Sequence, residues 1–425
     1  MFDTFIRTLT GPCDVKRGDS ILVCLSGGID SMVLLHLMKE ASAILDLRLG
    51  VLHVDHGIRG ADSKRDAQFV QNVCRDMSVK FFLEELHLGA DRPNLEEMAR
   101  VKRYEAIIEC MHAHGFNFAA TGHTLDDQVE TILYRFIRGS GIRGMSGIQY
   151  AREDGIIRPL LDITKTQIDS FALGNHIDYM EDLTNKDISI PRNLIRHEII
   201  PLMQRINPCV IQSIARFSKI AAKEGAILDE MVTTLIRDAI KLDWGIIRCF
   251  DKGKLIGAKG AIAKRLIIDI ISEMIGEPRG IDALQVDMVM DVLHSKRASH
   301  DIKRKVRVVS CKEDIVFHVT GQGPFYNATV KSPGIYYLPR INQSIRIGYN
   351  ASHLDLLTIR SWLPGDTIHG KKVVKILSDN GIIQPLRVFW PVVLNRGEIV
   401  AIAGIKNLKT LDNNYNLNIE FPYVA

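Results

Sequence analysis

The chain has 425 residues, 46% of them hydrophobic and 24% charged, with a formal net charge of +4. That length suggests two or three domains of about 100–200 residues each, and so slight a positive excess means that any anion-binding surface must be local. No stretch approaches the roughly 18 apolar residues of a membrane span, the first residues carry no signal-peptide pattern, and the seven scattered cysteines form no C-x-x-C, which argues against a disulfide framework or zinc site and for a reducing cytoplasm.

In chain order, the first informative stretch is Ile21-Leu22-Val23-Cys24-Leu25, an apolar run cut off by Ser26-Gly27-Gly28-Ile29-Asp30-Ser31. Such a run reads as a buried strand of a parallel sheet. Beyond Ser31 the apolar positions Val33, Leu34, Leu37, Met38 and Ala41 take helical spacing. Strand, glycine turn and helix together make a phosphate cradle, because the glycines admit close backbone approach and the first N–H groups of the helix face the anion. Asp30 repels a bare phosphate, but makes sense if Mg2+ bridges it to phosphate oxygens. The Walker spacing G-x-x-x-x-G-K is absent. The hexapeptide instead resembles the Ser-Gly-Gly-x-Asp-Ser loop of the PP-loop ATP pyrophosphatases, which cleave ATP between its α- and β-phosphates. The competing view is a plain strand-to-helix turn.

A second strand, Leu47 to Val54, ends in Asp55-His56-Gly57-Ile58-Arg59. A helix from Ala61 to Met77, a strand from Lys80 to Leu86, and a helix from about Leu95 to His114, with Asn94 as N-cap and Glu97 at its third position, follow. A fourth strand, Phe116 to Thr121, ends in Gly122-His123-Thr124-Leu125-Asp126-Asp127 and leads into a helix that carries Glu130. Alternating strands and helices predict an α/β, doubly wound parallel sheet. Right-handed crossovers then bring the strand ends at Ser26–Ser31, Asp55–Arg59 and His123–Asp127 to one edge. His123 alone could be an ordinary core histidine, and Asp126 and Asp127 alone could be helix-start charges. Their convergence favours a site.

Arg138-Gly139-Ser140-Gly141-Ile142-Arg143-Gly144-Met145-Ser146-Gly147 reads as a basic, hinged loop, either a lid or a connector. A short strand, Ile156 to Leu161, a helix from Thr164 to His176, and a turn-rich stretch containing Glu181 and Asp182 come next. The helix opening at Pro191 carries Arg192 and Arg196 on one face, as phosphate partners or as solvated charges. A long helical stretch from Val210 to Lys241 bridges into residues 242–300, which look mostly helical. The basic run Lys296 to Arg307 and the strand-like Val306–Ser310 and Ile315–Val319 follow. Beyond 333, Ile345–Ile347, Leu356–Arg360, Ile383–Pro385, Val392–Leu394 and Ile399–Ile402 suggest a small strand-rich domain. There Lys371, Lys372, Lys375 and Arg387 lie near Trp362 and Trp390. Aromatic plus basic suits single-stranded RNA; buried tryptophans with surface lysines are the alternative.

The order of these motifs, with Arg138-Gly139-Ser140-Gly141, Glu181-Asp182, Arg192-Asn193 with Arg196, and the late Arg360-x-Trp362-x-Pro364-Gly365-Asp366 before Lys371-Lys372, resembles the bacterial tRNA(Ile)-lysidine synthetases across nearly the whole chain. The link between Asp366 and Lys371 is shorter than the family's usual one. The resemblance implies three parts: a catalytic PP-loop domain over 1–208, a mainly helical tRNA-binding domain over 209–330 and an α+β tRNA-binding domain over 331–425. It implies ATP and Mg2+ as cofactors, with L-lysine and a tRNA(Ile) bearing a CAU anticodon as partners. Ser26, Gly27, Gly28, Ile29, Asp30 and Ser31 would hold the phosphates. His123, Asp126 and Asp127 would line the reacting centre, with Asp30 and Asp127 on the metal. Asp55, His56 and Arg59 would line the nucleotide and lysine side, with Arg192 and Arg196 near the phosphates. Arg138, Arg143, Arg360, Lys371, Lys372 and Lys375 would meet tRNA. Oligomeric state stays open, a homodimer being one option. A tRNA thiolase fits less well because no cysteine sits at the strand ends beyond Cys24, a PP-loop amidotransferase because no glutaminase segment is evident, and a non-catalytic tRNA binder because the hexapeptide is intact.

Overall fold

A computed structural model describes residues 1–55, 61–86, 95–180, 188–276, 281–303, 305–321, 325–348, 357–405 and 418–421. The chain divides into two compact units, Met1–Ala226 and Ile227–Ala425.

The first unit runs α1 (Phe2–Thr10), β1 (Ser20–Cys24), α2 (Ile29–Leu45), β2 (Arg48–Asp55), α3 (Ala61–Asp76), β3 (Lys80–Glu85), α4 (Leu95–His114), β4 (Phe118–Ala120), α5 (Leu125–Ile137), α6 (Ile142–Met145), β5 (Ile156–Ile157), α7 (Lys165–Gly174), α8 (Pro191–Leu194), a π-helical turn (Ile195–Ile199), α9 (Ile200–Ile206) and the start of α10 (Val210–Ala239). Its sheet has the order β3-β2-β1-β4-β5 with every pair parallel. A parallel sheet needs apolar cover on both faces. One face packs on Phe5, Leu9, Val33, Leu37, Val70 and Ile168, the other on Ile107, Cys110 and Met111 of α4. The strand order reverses between β1 and β4, which is where an open α/β sheet forms its ligand crevice. β4 and β5 are both shorter than the strands expected over Phe116–Thr121 and Ile156–Leu161. β5 stops at Ile157 because Pro159 lacks the amide a longer ladder would need. The expected cap at Asn94 lies outside the described residues.

The second unit continues with β6 (Ile240–Asp243), β7 (Ile247–Asp251), α11 (Lys252–Gly257), α12 (Gly260–Ile275), α13 (Ala283–Leu293), β8 (Ser299–Ile302), β9 (Val306–Cys311) and β10 (Asp314–Val319). The strands form an antiparallel sheet, β6-β7-β10-β9-β8, under α12 and α13. The helices expected over 242–300 are present, and the β6–β7 hairpin is an addition. Its turn is set by Asp243, whose Oδ1 accepts from Gly245 N at 2.8 Å, and by Gly245 at φ +70. The rest comprises β11 (Asn327–Val330), β12 (Gly334–Leu338), β13 (Gln343–Gly348), β14 (Leu357–Ser361), β15 (Thr367–Ile368), β16 (Lys371–Lys372), α14 (Val373–Asp379), α15 (Gln384–Arg387), β17 (Pro391–Asn395), β18 (Glu398–Ile402) and β19 (Asn418–Glu420), in small antiparallel sheets around Trp244, Phe389, Trp390 and Phe421. Ile383–Pro385, expected as a strand, instead opens α15, because Pro385 takes the first turn of a helix, where its missing N–H does no harm. Among the described residues no helix is long and apolar enough to cross a membrane.

Candidate active site

Register places the site. Cys24 pairs with Leu52 and Val23 with Ala120, so the chain leaves β1, β2 and β4 at the same level on the carboxyl edge. After β1 the backbone turns at Gly27, whose φ of +89 only glycine adopts without strain. Gly28 caps α2. Ser31 Oγ donates to Gly28 O at 2.9 Å, and Ser26 N donates to Ser31 Oγ at 3.2 Å. The two serine hydroxyls stand 3.1 Å apart. The loop is therefore closed on itself and presents hydroxyls and the positive end of α2. Met180 N donates to Gly27 O at 2.9 Å, which ties down its far side.

The β4 end lies directly on this loop. A Cβ on Gly122 would come within 3.2 Å of Ser31 N and 3.3 Å of the Asp30 carbonyl carbon. Gly122 is thus a close-approach glycine. His53 of β2 is buried and donates from Nδ1 to Leu25 O at 2.8 Å, binding β2 to the start of the loop. Asp55 ends β2, and its carbonyl accepts from Leu86 N at 2.7 Å.

At the start of α5, Thr124 and Asp127 form a capping box: Asp127 Oδ2 accepts from Thr124 N at 2.8 Å and Thr124 Oγ1 at 2.9 Å. Asp126 Oδ2 accepts from Lys165 N at 2.7 Å, while Lys165 Nζ ion-pairs with Asp30. Glu130, fully buried, is gripped by Arg196: Nε to Oε1 at 2.5 Å and Nη2 to Oε2 at 3.0 Å. The same Nη2 lies 3.3 Å from Asp127 Oδ1, and Arg192 Nε lies 3.5 Å from Glu130. Arg196 sits in the π-helical turn, a local widening that often marks a functional position.

The charges are unevenly poised. Burial raises the carboxyl of Asp30, against the pull of Lys165. Burial likewise raises Asp126 and Glu130, opposed by the Lys165 amide and by Arg196 respectively, with the charge of Asp127 adding to both. Burial pushes His123 down to about 4 despite Asp127, with Arg158 and Arg192 adding to the effect. His123 is therefore neutral near pH 7, its Nδ1 2.9 Å from Thr121 Oγ1. Asp127 ends below the usual carboxylate range: burial works against this, and with a neutral His123 the balance rests on the Thr124 amide, Arg192 and Arg196. Pairs of groups pushed apart in this way are typical of acid–base sites.

The PP-loop domain family matches residues 2–203. The tRNA(Ile)-lysidine synthase of Clostridioides difficile (strain 630) is 25% identical, over 98% of this chain and 97% of that protein. That of Solibacter usitatus is 35% identical over 65% of this chain and 61% of its own length. That of Pseudothermotoga lettingae is 30% identical, over 91% of this chain and 87% of that protein. The chain belongs to the tRNA(Ile)-lysidine synthase family. Its PP-loop domain carries the ATP-binding fold.

Of the expected site residues, Ser26, Gly27, Gly28, Ile29, Asp30, Ser31, Asp55, His123, Asp126, Asp127, Arg192 and Arg196 stand at or beside this edge. His56, Arg59, Glu181 and Asp182 lie outside the described residues. Sequence reasoning missed Lys165. Its signal was a cation in the first turn of α7, the end of a helix that disfavours it. It also missed Arg135, whose Nη1 donates to Gly144 O at 3.0 Å and Gly147 O at 2.7 Å and so anchors the glycine loop beside Arg138 and Arg143.

The late basic cluster divides. Lys371, Lys372 and Lys375 are exposed. Arg360 is taken up by a bidentate pair with Asp366, at 2.7 and 2.9 Å, and shapes the Trp362–Asp366 turn. Trp390 is 1% exposed, with its Nε1 donating to Ala403 O, and Trp362 donates to Arg387 O. Trp390 is therefore core, not a stacking platform for bases. Among the described residues no group of three or more metal-ligating side chains exists. Mg2+ with a nucleotide needs only one or two carboxylates besides phosphate oxygens and waters, so the hard oxygen donors of Asp30 and Asp127 fit that ion.

Proposed function

We propose that this chain joins L-lysine to carbon 2 of the wobble cytidine in a tRNA(Ile) with a CAU anticodon, converting ATP to AMP and pyrophosphate, so that the tRNA decodes AUA instead of AUG. The observation that carries the reading is the family match along 91% of the chain, combined with a site that sets a phosphate loop against paired carboxylates.

Ser26, Gly27, Gly28, Ile29 and Ser31 cradle the phosphates with hydroxyls, amides and the α2 terminus. The cytidine O2 attacks the α-phosphorus, and the bond to the β-phosphate oxygen breaks. Mg2+ held by Asp30 and Asp127 would neutralise phosphate charge. Arg192 and Arg196 place positive charge beside the same space. The lysine ε-amine then attacks carbon 2 and AMP leaves. An amine must lose a proton to attack, and a carboxylate with a raised pKa, as at Asp126, is suited to take it. Neutral His123 lines the centre without adding a cation. Asp55, His56 and Arg59 line the nucleotide and lysine side. A single-stranded anticodon loop can splay its base into such a pocket for a few kcal/mol of unstacking. Arg138 and Arg143 in the first unit, and Lys371, Lys372 and Lys375 in the second, meet the tRNA backbone, with residues 209–330 and 331–425 acting as two tRNA-binding parts. Such a substrate places the protein in the cytoplasm.

The test is incorporation of radioactive lysine into a tRNA(Ile) transcript bearing CAU, with tRNA(Met) as control. Alkali-stable label on the first tRNA alone is expected. AMP and pyrophosphate formed without lysine transfer would overturn the substrate, and no AMP under any condition would overturn the reaction.

A further inference from the structure

Ser26–Ser31 offers a triphosphate hydroxyls, amides and a helix terminus, but no cation of its own. Arg196 is paired with Glu130 and Asp127, and Arg192 bonds to Thr131 and lies 3.5 Å from Glu130, so both lend their charge from the α5 side. Among the described residues, the cation paired with a side chain of the loop is Lys165. Its backbone is pinned: Thr164 and Gln167 close a capping box at the start of α7, and its amide donates to Asp126. Its ammonium is on a four-carbon stem, ion-paired to Asp30, and both side chains are partly open, at 39% and 35% exposure. A cation at a helix start is mildly unfavourable and gains from a nearby anion, and the anion here is the Asp30 carboxylate of the loop itself. A lysine ammonium is a mobile point charge, able to exchange one oxygen anion for another.

We infer that Lys165 is a polyphosphate-binding residue: its ammonium covers Asp30 in the free protein and moves onto the β- and γ-phosphate oxygens when ATP binds. This rests on the ATP site proposed above. Two links of the fold make the exchange workable. The Asp126 hydrogen bond fixes where the stem begins, and Gly122 keeps the β4 end pressed on the loop so that stem and phosphates face the same space.

The test is equilibrium binding of ATP and of AMP, in the presence of Mg2+, to the full-length protein and its Lys165→Met and Lys165→Arg variants. Removing one charge-assisted hydrogen bond should weaken ATP binding by about tenfold or more in Lys165→Met. AMP, which lacks the β- and γ-phosphates, should bind all three proteins alike, and Lys165→Arg should restore most of the ATP affinity. ATP affinity unchanged or increased in Lys165→Met would overturn the inference, because a lysine that only restrains Asp30 gives that result. Equal losses for ATP and AMP would also overturn it, as a general loosening of the site. Should Lys165→Met fail to fold, Lys165→Gln takes its place: a loss of ATP affinity not shared by AMP supports binding to the phosphates, and unchanged ATP affinity or a loss shared by AMP refutes it. A parent chain that binds neither nucleotide would refute the ATP site as well, an outcome distinct from failure in the variant alone.

Discussion

Arg196→Met isolates the ion pair on the buried Glu130 of the first unit. Glu130 has no solvent exposure, and Arg196 holds both of its oxygens, at 2.5 and 3.0 Å. Removing one partner of a buried pair costs about 3–5 kcal/mol, because the other charge is stranded. The low end, about 3 kcal/mol, applies here, since Arg192 stays 3.5 Å away and the Arg196 side chain is 38% exposed. For a unit of this size that corresponds to a melting-point drop of roughly 6–12 °C. Urea unfolding at pH 7 reads it directly. The loss also carries a pH signature. Burial already raises Glu130, and Arg196 opposes that rise, so the variant's carboxyl moves higher still. A group with a raised folded pKa holds its proton more tightly when folded. Its stabilising contribution is complete below the unfolded value and is lost as pH rises through the folded one. The deficit of Arg196→Met should therefore be larger at pH 7 than in acid and shrink as pH falls toward the unfolded carboxyl value of about 4.3. Pairing it with Glu130→Leu removes the stranded charge and should recover most of the stability. A deficit under about 1 kcal/mol, the level of an exposed pair, or a double variant no more stable than the single one, would refute the reasoning.

Asp30→Ala and Asp127→Ala should each abolish pyrophosphate release, and Asp127→Ala should in addition lose about 1–2 kcal/mol from its capping box; full activity in either would remove it from the reacting centre. Gly122→Ala places a Cβ 3.2 Å from Ser31 N, so ATP affinity should fall although the variant stays folded, and unchanged affinity would show that the loops can separate freely. Lys371→Ala with Lys372→Ala, which removes two exposed cations, should weaken tRNA binding and flatten its salt dependence by roughly 0.7–0.9 for each phosphate that is no longer neutralised. Pyrophosphate release at saturating tRNA should be spared, and an unaltered salt slope would count against a role for these lysines on the tRNA backbone.

The parallel sheet was legible because its strands are continuous apolar runs and its helices keep a different period. Ile21–Leu25 and Val33–Ala41 differ so plainly that the turn between them stands out, and the polar clusters at three strand ends identified one edge. Elsewhere the local pattern misled. Pro385 looked like part of a strand, yet its fixed φ suited the first turn of α15. For Trp390 the pattern left stacking platform and core both open, and tertiary packing against Trp244 and Phe421 decided for core. Arg360, placed on tRNA by resemblance, is met by Asp366 across the turn.

The sequence by itself determined the strand-turn-helix cradle, its chemistry and the edge on which the site forms, because each depends on residues within a few positions of one another. Only the tertiary structure decided which charges answer which. Lys165 lies 135 residues from Asp30 and Arg196 66 from Glu130, and no local pattern encodes such a partner. Ion pairing acts through space, so the fold alone determines that Lys165 pairs with Asp30 and that Arg196 holds a buried carboxylate.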